Sequence, residues 1–484
     1  MKTNTVSFAH FGNEKSLRND CVYQRMIAKN CECANDDYRF ADLFTTSEIK
    51  VSSDDLADDF LYCQIGDVDK GGTPHPVTLN FDIRDLQDED YYKKIEKGDI
   101  MAVNQNDILI SFLLPQDDTI LGKFIRIDET SKDVFFSRAF LRIVPRKHPE
   151  ILYYYLRTAY YKRLVAYARI RKGYTGYSTL SSNDLSSLRF SRADIEKLFA
   201  SAASLTDSIR SIEQAIRDKE QTILNDQSII NSVFQREFGF DYDRFEELKT
   251  HKQYISKQAL FSNNPDLRFS AKYHRPAGDF VREQLTAITK KKIKHCLSEP
   301  IALGASISPA DFDDSGSVYF VSVATIKTLE VELDDTQLVS DAYYSAHRNK
   351  SLKPNDIIVA RSGVAIGKVA IVTEEFDGVF ADFTMRVRLD EKKCNPVFAY
   401  YYFRTAYFQY LIEVYKKGLQ NQNIFPIVIQ EFPVPDISLM DQQRIVDEIQ
   451  SEIQKQNQIK TEIAELRKQI DDIILGTGTV PEIV

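Results

Sequence analysis

The chain has 484 residues, 43% hydrophobic and 27% charged, which is the composition of a folded protein with length for two or three cores. No run of about 18 apolar residues occurs, which argues against a membrane span, and the six cysteines are too few for a disulfide scaffold and suit a reducing cytoplasm. A net charge of −9 does not favour a polyanionic partner, but phosphate contact depends on local basic stripes.

Residues 1–36 form a polar N-terminal leader without a signal-peptide core. Its Cys31 and Cys33 are the only close cysteine pair, and no second pair completes a metal site. A first globular segment follows at 37–190. Its front half reads as strands, among them Asp107–Ser111, and a tyrosine-rich helix is expected over 149–170, starting near Pro149.

From Ser191 to Phe238 neither Pro nor Gly interrupts the chain, and Leu198, Ala202, Leu205, Ile209, Ile212, Ile216 and Ile223 step by four and three. A period of 3.5 is a coiled-coil seam. A continuous helix over 191–238 would be about 70 Å long, longer than a small domain is wide. A connector (239–265) leads to a second globular segment at 266–437, with strands at Asp356–Ala360 and Gly367–Val372 and a tyrosine-rich helix over 395–415. A second seam helix occupies 438–476, with Ile449, Ile459, Ile463, Leu466, Ile470 and Ile473 on the same period and Glu452 and Gln456 between them. Gly476 and Pro481 mark its end, and 477–484 is a tail.

The two globular segments echo one another in order. Tyr154-Tyr155-Leu156-Arg157-Thr158-Ala159-Tyr160-Tyr161 returns as Tyr401-Tyr402-Phe403-Arg404-Thr405-Ala406-Tyr407-Phe408. Asp37-Tyr38-Arg39-Phe40 returns as Asp266-Leu267-Arg268-Phe269, Asn106–Ile110 as Asn355–Val359, and Gly122-Lys123 as Gly367-Lys368. The sequence is therefore read as α/β (α+β): two homologous domains separated by two long helices that pair as an antiparallel coiled coil.

Several strings resemble the specificity (S, HsdS-type) subunit of type I restriction–modification systems. Lys353-Pro354-Asn355-Asp356-Ile357-Ile358-Val359-Ala360-Arg361-Ser362-Gly363, then Ile366-Gly367-Lys368-Val369-Ala370, is similar to that family's strand, Arg-Ser-Gly and Ile-Gly-Lys signature. Gly418–Asn423, Phe432-Pro433-Val434-Pro435 and Gln442-Gln443-Arg444-Ile445 resemble its closing strand-to-helix segment. The first repeat departs from the pattern: Ser111-Phe112-Leu113-Leu114-Pro115 stands in place of Arg-Ser-Gly, and Phe190-Ser191-Arg192 in place of the Pro-x-Pro run.

The resemblance implies a non-catalytic, DNA-binding recognition subunit in host defence. Residues 37–190 and 266–437 would be target-recognition domains, each reading one half of a bipartite double-stranded site. The helices would dock two methyltransferase (M) subunits and, in a full complex, translocating restriction (R) subunits, without membrane or cofactor. Base edges demand Arg, Lys, Asn and Gln, and phosphates demand Lys and Arg. The candidate DNA contacts are Arg361, Ser362, Lys368, Lys416, Lys417, Gln420, Asn421, Gln422 and Asn423, with Lys123, Arg171, Lys172, Tyr174 and Tyr177 at the equivalent places in the first repeat. Arg157 and Arg404 are expected to serve frame and docking, because what both repeats share cannot discriminate two half-sites.

Rival chemistry lacks its residues. Gly363–Lys368 has three residues between its glycines where a phosphate loop needs four, and Val369 in place of Ser or Thr. No (Asp/Asn)-Pro-Pro-(Tyr/Phe) or Gly-x-Ser-x-Gly string occurs, so neither a catalytic nor a metal site is expected. A specificity partner of another restriction or methylation system, or a coiled-coil adaptor that binds protein and not DNA, remains an alternative.

Overall fold

The computed structural model describes residues 37–52, 56–68, 72–81, 88–111, 113–114, 124–160, 178–179, 182–186, 188–250, 272–326, 331, 333, 336–363, 365–418 and 422–476. The chain divides into two compact units, one of residues 1–221 and 461–484, the other of 222–460. Both mix helix and sheet.

The two larger sheets of the first unit use the strands β1 (Phe44–Thr46), β2 (Ile49–Lys50), β3 (Asp59–Cys63), β4 (Val77–Asn80), β5 (Met101–Ala102), β6 (Ile108–Ser111), β7 (Phe124–Arg126), β8 (Val134–Phe136) and β9 (Phe140–Pro145). One antiparallel sheet has the order β1-β9-β6-β7, and a second has β2-β5-β8-β3-β4, in which β8 and β3 run parallel. All four residues of β6 are buried, which explains why it reads as an unbroken apolar run and not as an alternation. Helix α1 (Pro149–Tyr155) starts at its proline and buries Tyr153, Tyr154 and Tyr155. It passes into a wider π turn at Leu156–Tyr160. The remainder of the helix expected over 149–170 lies outside the described residues.

In the second unit the strands are β10 (Ala302–Leu303), β11 (Val318–Val321), β12 (Leu338–Val339), β13 (Ile357–Ala360), β14 (Val369–Ile371), β15 (Gly378–Phe380) and β16 (Thr384–Val387). The antiparallel sheet has the order β10-β16-β13-β14, and the other sheet is β12-β11-β15 with β11 and β15 parallel. The antiparallel sheet repeats that of the first unit, β13 lying between β16 and β14 as β6 lies between β9 and β7, while the other sheet has three strands against five.

The turn before each central strand is the same down to its hydrogen bonds. Asn106 and Asn355 both have φ of 72°, a left-handed conformation that Asn tolerates. Asp107 Oδ2 accepts from Asn104 N at 2.6 Å, and Asp356 Oδ2 from Lys353 N at 2.8 Å. Ile127 N donates to Asp107 O at 2.8 Å, and Val372 N to Asp356 O at 2.9 Å. The Asn-Asp string is thus kept because a short polar side chain must close this turn inside the core, where both aspartates are buried.

The segment expected as one helix over 191–238 is three: α2 (Arg192–Ala200), α3 (Ala202–Glu220) and α4 (Asp226–Phe238). Ser201 interrupts the first pair at φ −103° and ψ 9°. The second break is a capping event: the Asn225 side chain accepts from Ser228 N at 2.7 Å and starts α4 anew. Leu198, Ala202, Leu205, Ile209, Ile212 and Ile216 are buried on the expected seam, whereas Ile223 falls in the turn and is half-buried.

The tyrosine helix of the second unit is α5 (Pro396–Arg404) and α6 (Ala406–Tyr415), divided at Thr405. That hydroxyl donates to Tyr402 O at 2.7 Å and accepts from Phe408 N at 3.3 Å, capping α6 within the core. The chain closes with the 37-residue helix α7 (Leu439–Leu475), whose residues up to 460 belong to the second unit and from 461 to the first. Within the first unit Lys219 pairs with Glu462 at 2.6 Å and Glu220 with Arg467 at 2.7 Å. Within the second, Leu224 N donates to the buried Gln456 Oε1 at 2.9 Å, while Arg236 meets Glu448 at 2.6 Å and Arg444 meets Glu237 at 2.5 Å. Rising numbers on one partner meet falling numbers on the other, so α7 packs antiparallel to α4. Its buried line includes Ile449, Ile453, Gln456, Ile463, Ile470 and Ile473, with Ile459 and Leu466 half-buried. Ile453, not Glu452, fills the seam, and Glu452 turns outward to Lys455.

Candidate nucleic-acid interface

The shared arginines hold the frame. Arg157 donates to Tyr153 OH at 3.4 Å and Arg404 to Tyr400 OH at 3.0 Å, each one helical turn back. In the first unit Arg126 bridges Glu150 (3.3 Å) and Glu213 (2.9 Å), and Tyr154 OH donates to Glu213 at 2.5 Å. Burial, with the Glu213 carboxylate close by, pushes the Tyr154 phenol well above its ordinary pKa. In the second unit Gln227 donates to Arg404 O at 2.6 Å, and Asn231 Oδ1 accepts from Ala406 N at 3.0 Å. Each tyrosine helix is therefore fastened to the seam helix of its own unit, α1 to α3 and α5 to α4. The Gln442-Gln443 string completes the second anchor, since Gln442 Oε1 accepts from Asn395 N and Gln443 Oε1 from Asn395 Nδ2, both at 2.7 Å.

The loops that differ between the repeats cluster in the second unit. After β13, Arg361 N donates to Phe383 O and Ile424 N donates to Arg361 O, both at 2.9 Å. Ser362 bridges Asn423, and Lys417 exchanges backbone bonds with Asn423 at 2.8 and 2.7 Å. Residues 361–362, 383, 417 and 422–424 are thereby woven into one small surface, although they span over 60 positions of sequence. Gly367 closes it from the other side. Its φ is 91°, and a Cβ there would stand 2.6 Å from Gln409 Oε1. That glutamine donates to Gly367 O at 2.9 Å and to Phe403 O at 2.7 Å, pinning the loop to α6.

The charges at this surface differ in availability. Lys368 and Lys417 are exposed, and neither side chain has a carboxylate partner among the described residues. Arg361 is half-buried, its Nε and the neighbouring Ser362 Oγ lacking any hydrogen-bond partner among the described residues. Such groups are costly to leave unmet. Lys416 is different: it pairs with Glu413 at 2.5 Å, and Glu413 also holds Lys272 at 2.6 Å. The basic run at 290–294 is likewise engaged internally, Lys291 with Asp436 at 3.0 Å and Lys292 and Lys294 with Glu431 at 2.8 Å. Gln422 is half-buried at the rim. Gln420 and Asn421 lie outside the described residues, as do Lys123, Arg171, Lys172, Tyr174 and Tyr177.

Sequence reasoning missed three residues here: Phe383, Phe425 and Ile427, which are 59%, 40% and 70% exposed. The only sequence signal was an aromatic immediately before a strand, Phe383 ahead of β16, which is equally the pattern of a core residue. Among the described residues no group of His, Cys, Asp and Glu is arranged to hold a metal ion, and no helix is long and apolar enough to cross a membrane.

The family model of the type I restriction modification DNA specificity domain matches residues 300–468. Over these residues the chain is similar to that family. The matched stretch runs from β10, at the edge of the antiparallel sheet, through the loop surface and into α7. Three solved structures are similar across most of the chain. One comes from work on complex assembly and conformational transition of the type I R-M system, with 13% identity, a TM-score of 0.43 and coverage of 91% of this chain and 95% of that one. The HsdS subunit from Thermoanaerobacter tengcongensis gives 12%, 0.35, 91% and 95%, and the type I restriction-modification S subunit from M. genitalium gives 11%, 0.39, 93% and 98%. No curated protein sequence matches the chain.

Proposed function

We propose that the chain is the specificity subunit of a type I restriction–modification complex, with each unit reading one half of a bipartite DNA site. The observation that carries this is the repetition of one fold: in each unit a four-stranded antiparallel sheet of the same order, with the same Asn-Asp turn and its own tyrosine helix. Two copies of a recognition domain have most use where a target has two parts, as in paired half-sites on a duplex. The boundaries 37–190 and 266–437 delimit the readers, and the helices at 191–238 and 438–476 form the antiparallel spacer on which two methyltransferase chains dock. Arg361, Lys368 and Lys417, together with the loop at 420–423, contact DNA in the second half-site, and Lys123, Arg171, Lys172, Tyr174 and Tyr177 contact it in the first.

Co-expression with the methyltransferase encoded beside this chain, followed by methylome sequencing, tests the reading. A two-part motif with a fixed gap is expected, and a single continuous motif refutes it. Deleting one heptad between 198 and 223 should change the gap while leaving both half-site sequences intact. Lys368→Ala and Asn421→Ala should weaken recognition of one half-site only, and loss of both with the fold preserved would rule out independent readers.

A further inference from the structure

The exposed apolar patch beside the free cations has no role in the frame. Phe383 stands on the tight turn between β15 and β16, where Thr384 N donates back to Ala381 O at 2.9 Å. Phe425 flanks Arg361 on the opposite row, and the guanidinium carbon lies 5.9 Å from its ring centre. Ile427 follows on the short helix Pro426–Ile429. Arg361 borders this patch, Lys417 joins the same row through Asn423, and Lys368 O accepts from Ala360 N just before Arg361; the one carboxylate on the Phe383 turn, Asp382, accepts from Ser306 Oγ at 2.9 Å. An apolar patch framed by unpaired cations complements a polyanion that also carries exposed apolar groups.

We propose that Phe383, supported by Phe425, is a specificity determinant that packs against the C5-methyl group of a thymine; the inference rests on the DNA-reading assignment. A phenyl ring neither donates nor accepts, so it cannot distinguish the hydrogen-bonding groups of base edges. The apolar group presented by base edges in the major groove is the thymine methyl. Stacking on a base face would first require a step of the duplex to be unstacked, whereas the methyl is reached in undistorted DNA. Arg361 in the adjacent row is placed to bond acceptors in the same groove, which gives the ring and the guanidinium complementary tasks on neighbouring base pairs.

The test uses the full chain in complex with its methyltransferase and a duplex that carries the methylated site found by sequencing. Each thymine of the site is replaced in turn by deoxyuridine, which removes one methyl group and nothing else. At one position the wild-type complex should bind about fourfold more weakly, the effect of one buried methyl. The Phe383→Ala complex should bind the thymine duplex more weakly and show no thymine–uracil difference at that position, while Phe383→Leu keeps part of it. Indifference of the wild type to every replacement, a half-site without thymine, or discrimination retained in Phe383→Ala would each overturn the proposal. So would a Phe383-dependent rise in 2-aminopurine fluorescence, which reports unstacking, or loss of methyltransferase association with discrimination intact. If the complex shows no sequence-specific binding at all, the DNA-reading assignment itself fails; specific binding with uracil tolerated everywhere removes only the thymine contact.

Discussion

Replacing Asp356 by alanine should loosen the second unit by about 3–4 kcal/mol. Asp356 is 1% exposed and accepts three hydrogen bonds: from Lys353 N at 2.8 Å, and from Arg388 Nε at 2.7 Å and Nη2 at 2.6 Å. Removing one partner of a buried ion pair costs about 3–5 kcal/mol, because the other charge is left uncompensated. Arg388 is 21% exposed and also pairs with Glu299 at 3.1 Å, so water and that carboxylate recover part of the cost and the loss belongs near the lower end. The orphaned Lys353 N–H adds about 1 kcal/mol. With no tryptophan in the chain, intrinsic fluorescence is a poor probe, and native-state hydrogen exchange read by mass spectrometry is preferable. Peptides over 353–360 and 369–372 should exchange roughly two orders of magnitude faster in Asp356→Ala, since about 1.4 kcal/mol corresponds to a factor of ten. The double variant Asp356→Ala with Arg388→Met removes both charges and should recover most of the protection. Acceleration below about tenfold in the single variant, or equal acceleration in single and double variants, would refute the account of an uncompensated arginine.

Asp107→Ala is the counterpart in the first unit and should cost at least as much, because its partner Arg142 is only 5% exposed; thermal unfolding by circular dichroism measures it. Gly367→Ala should destabilise by about 1–3 kcal/mol through its positive φ and the collision with Gln409, and adding Gln409→Ala should restore only the steric part. Gln456→Ala removes the acceptor for Leu224 N and should accelerate exchange at 222–226 ahead of the rest of the seam. Acid should weaken the fold through Glu413 and Asp128. Burial opposes their ionisation, but hydrogen bonds from Lys272 and Lys416, and from Thr130 and Ser131, outweigh it and lower both pKa values. Their contribution is therefore present above the unfolded values of about 4.3 and 3.9 and is lost as pH falls through the lower folded ones. Urea midpoints should drop below about pH 4, and Glu413→Gln should flatten part of that drop.

The duplication was legible in sequence because its conserved strings do one job twice: Asn-Asp closes a buried turn, and Arg157 and Arg404 each bond a tyrosine one turn back. Two identical constraints leave two similar strings. The helix breaks were not legible from missing Gly or Pro, since Ser201 and Asn225 interrupt the seam by backbone and capping geometry; Asn225 was the available signal. The basic run at 290–294 is engaged by Glu431 and Asp436, which lie about 140 residues further along. Availability of a charge is a tertiary property. The same holds for Phe383, whose exposure depends on the direction of one tight turn and not on its neighbours in sequence.

Helix α7 gives the chain an unusual order of manufacture. The first unit is completed by residues from 461 onward, which include Glu462, Arg467 and Ile470 against its own seam. On the ribosome those residues emerge only after the whole second unit has been synthesised. Domains generally fold as units, N-terminal first; here the N-terminal unit must wait, with Lys219, Glu220 and Thr158 lacking their partners Glu462, Arg467 and Asp471, while its successor can fold. A premature stop near residue 460 would accordingly spare the second unit and strip the first, so that damage late in the chain falls on the unit made earlier.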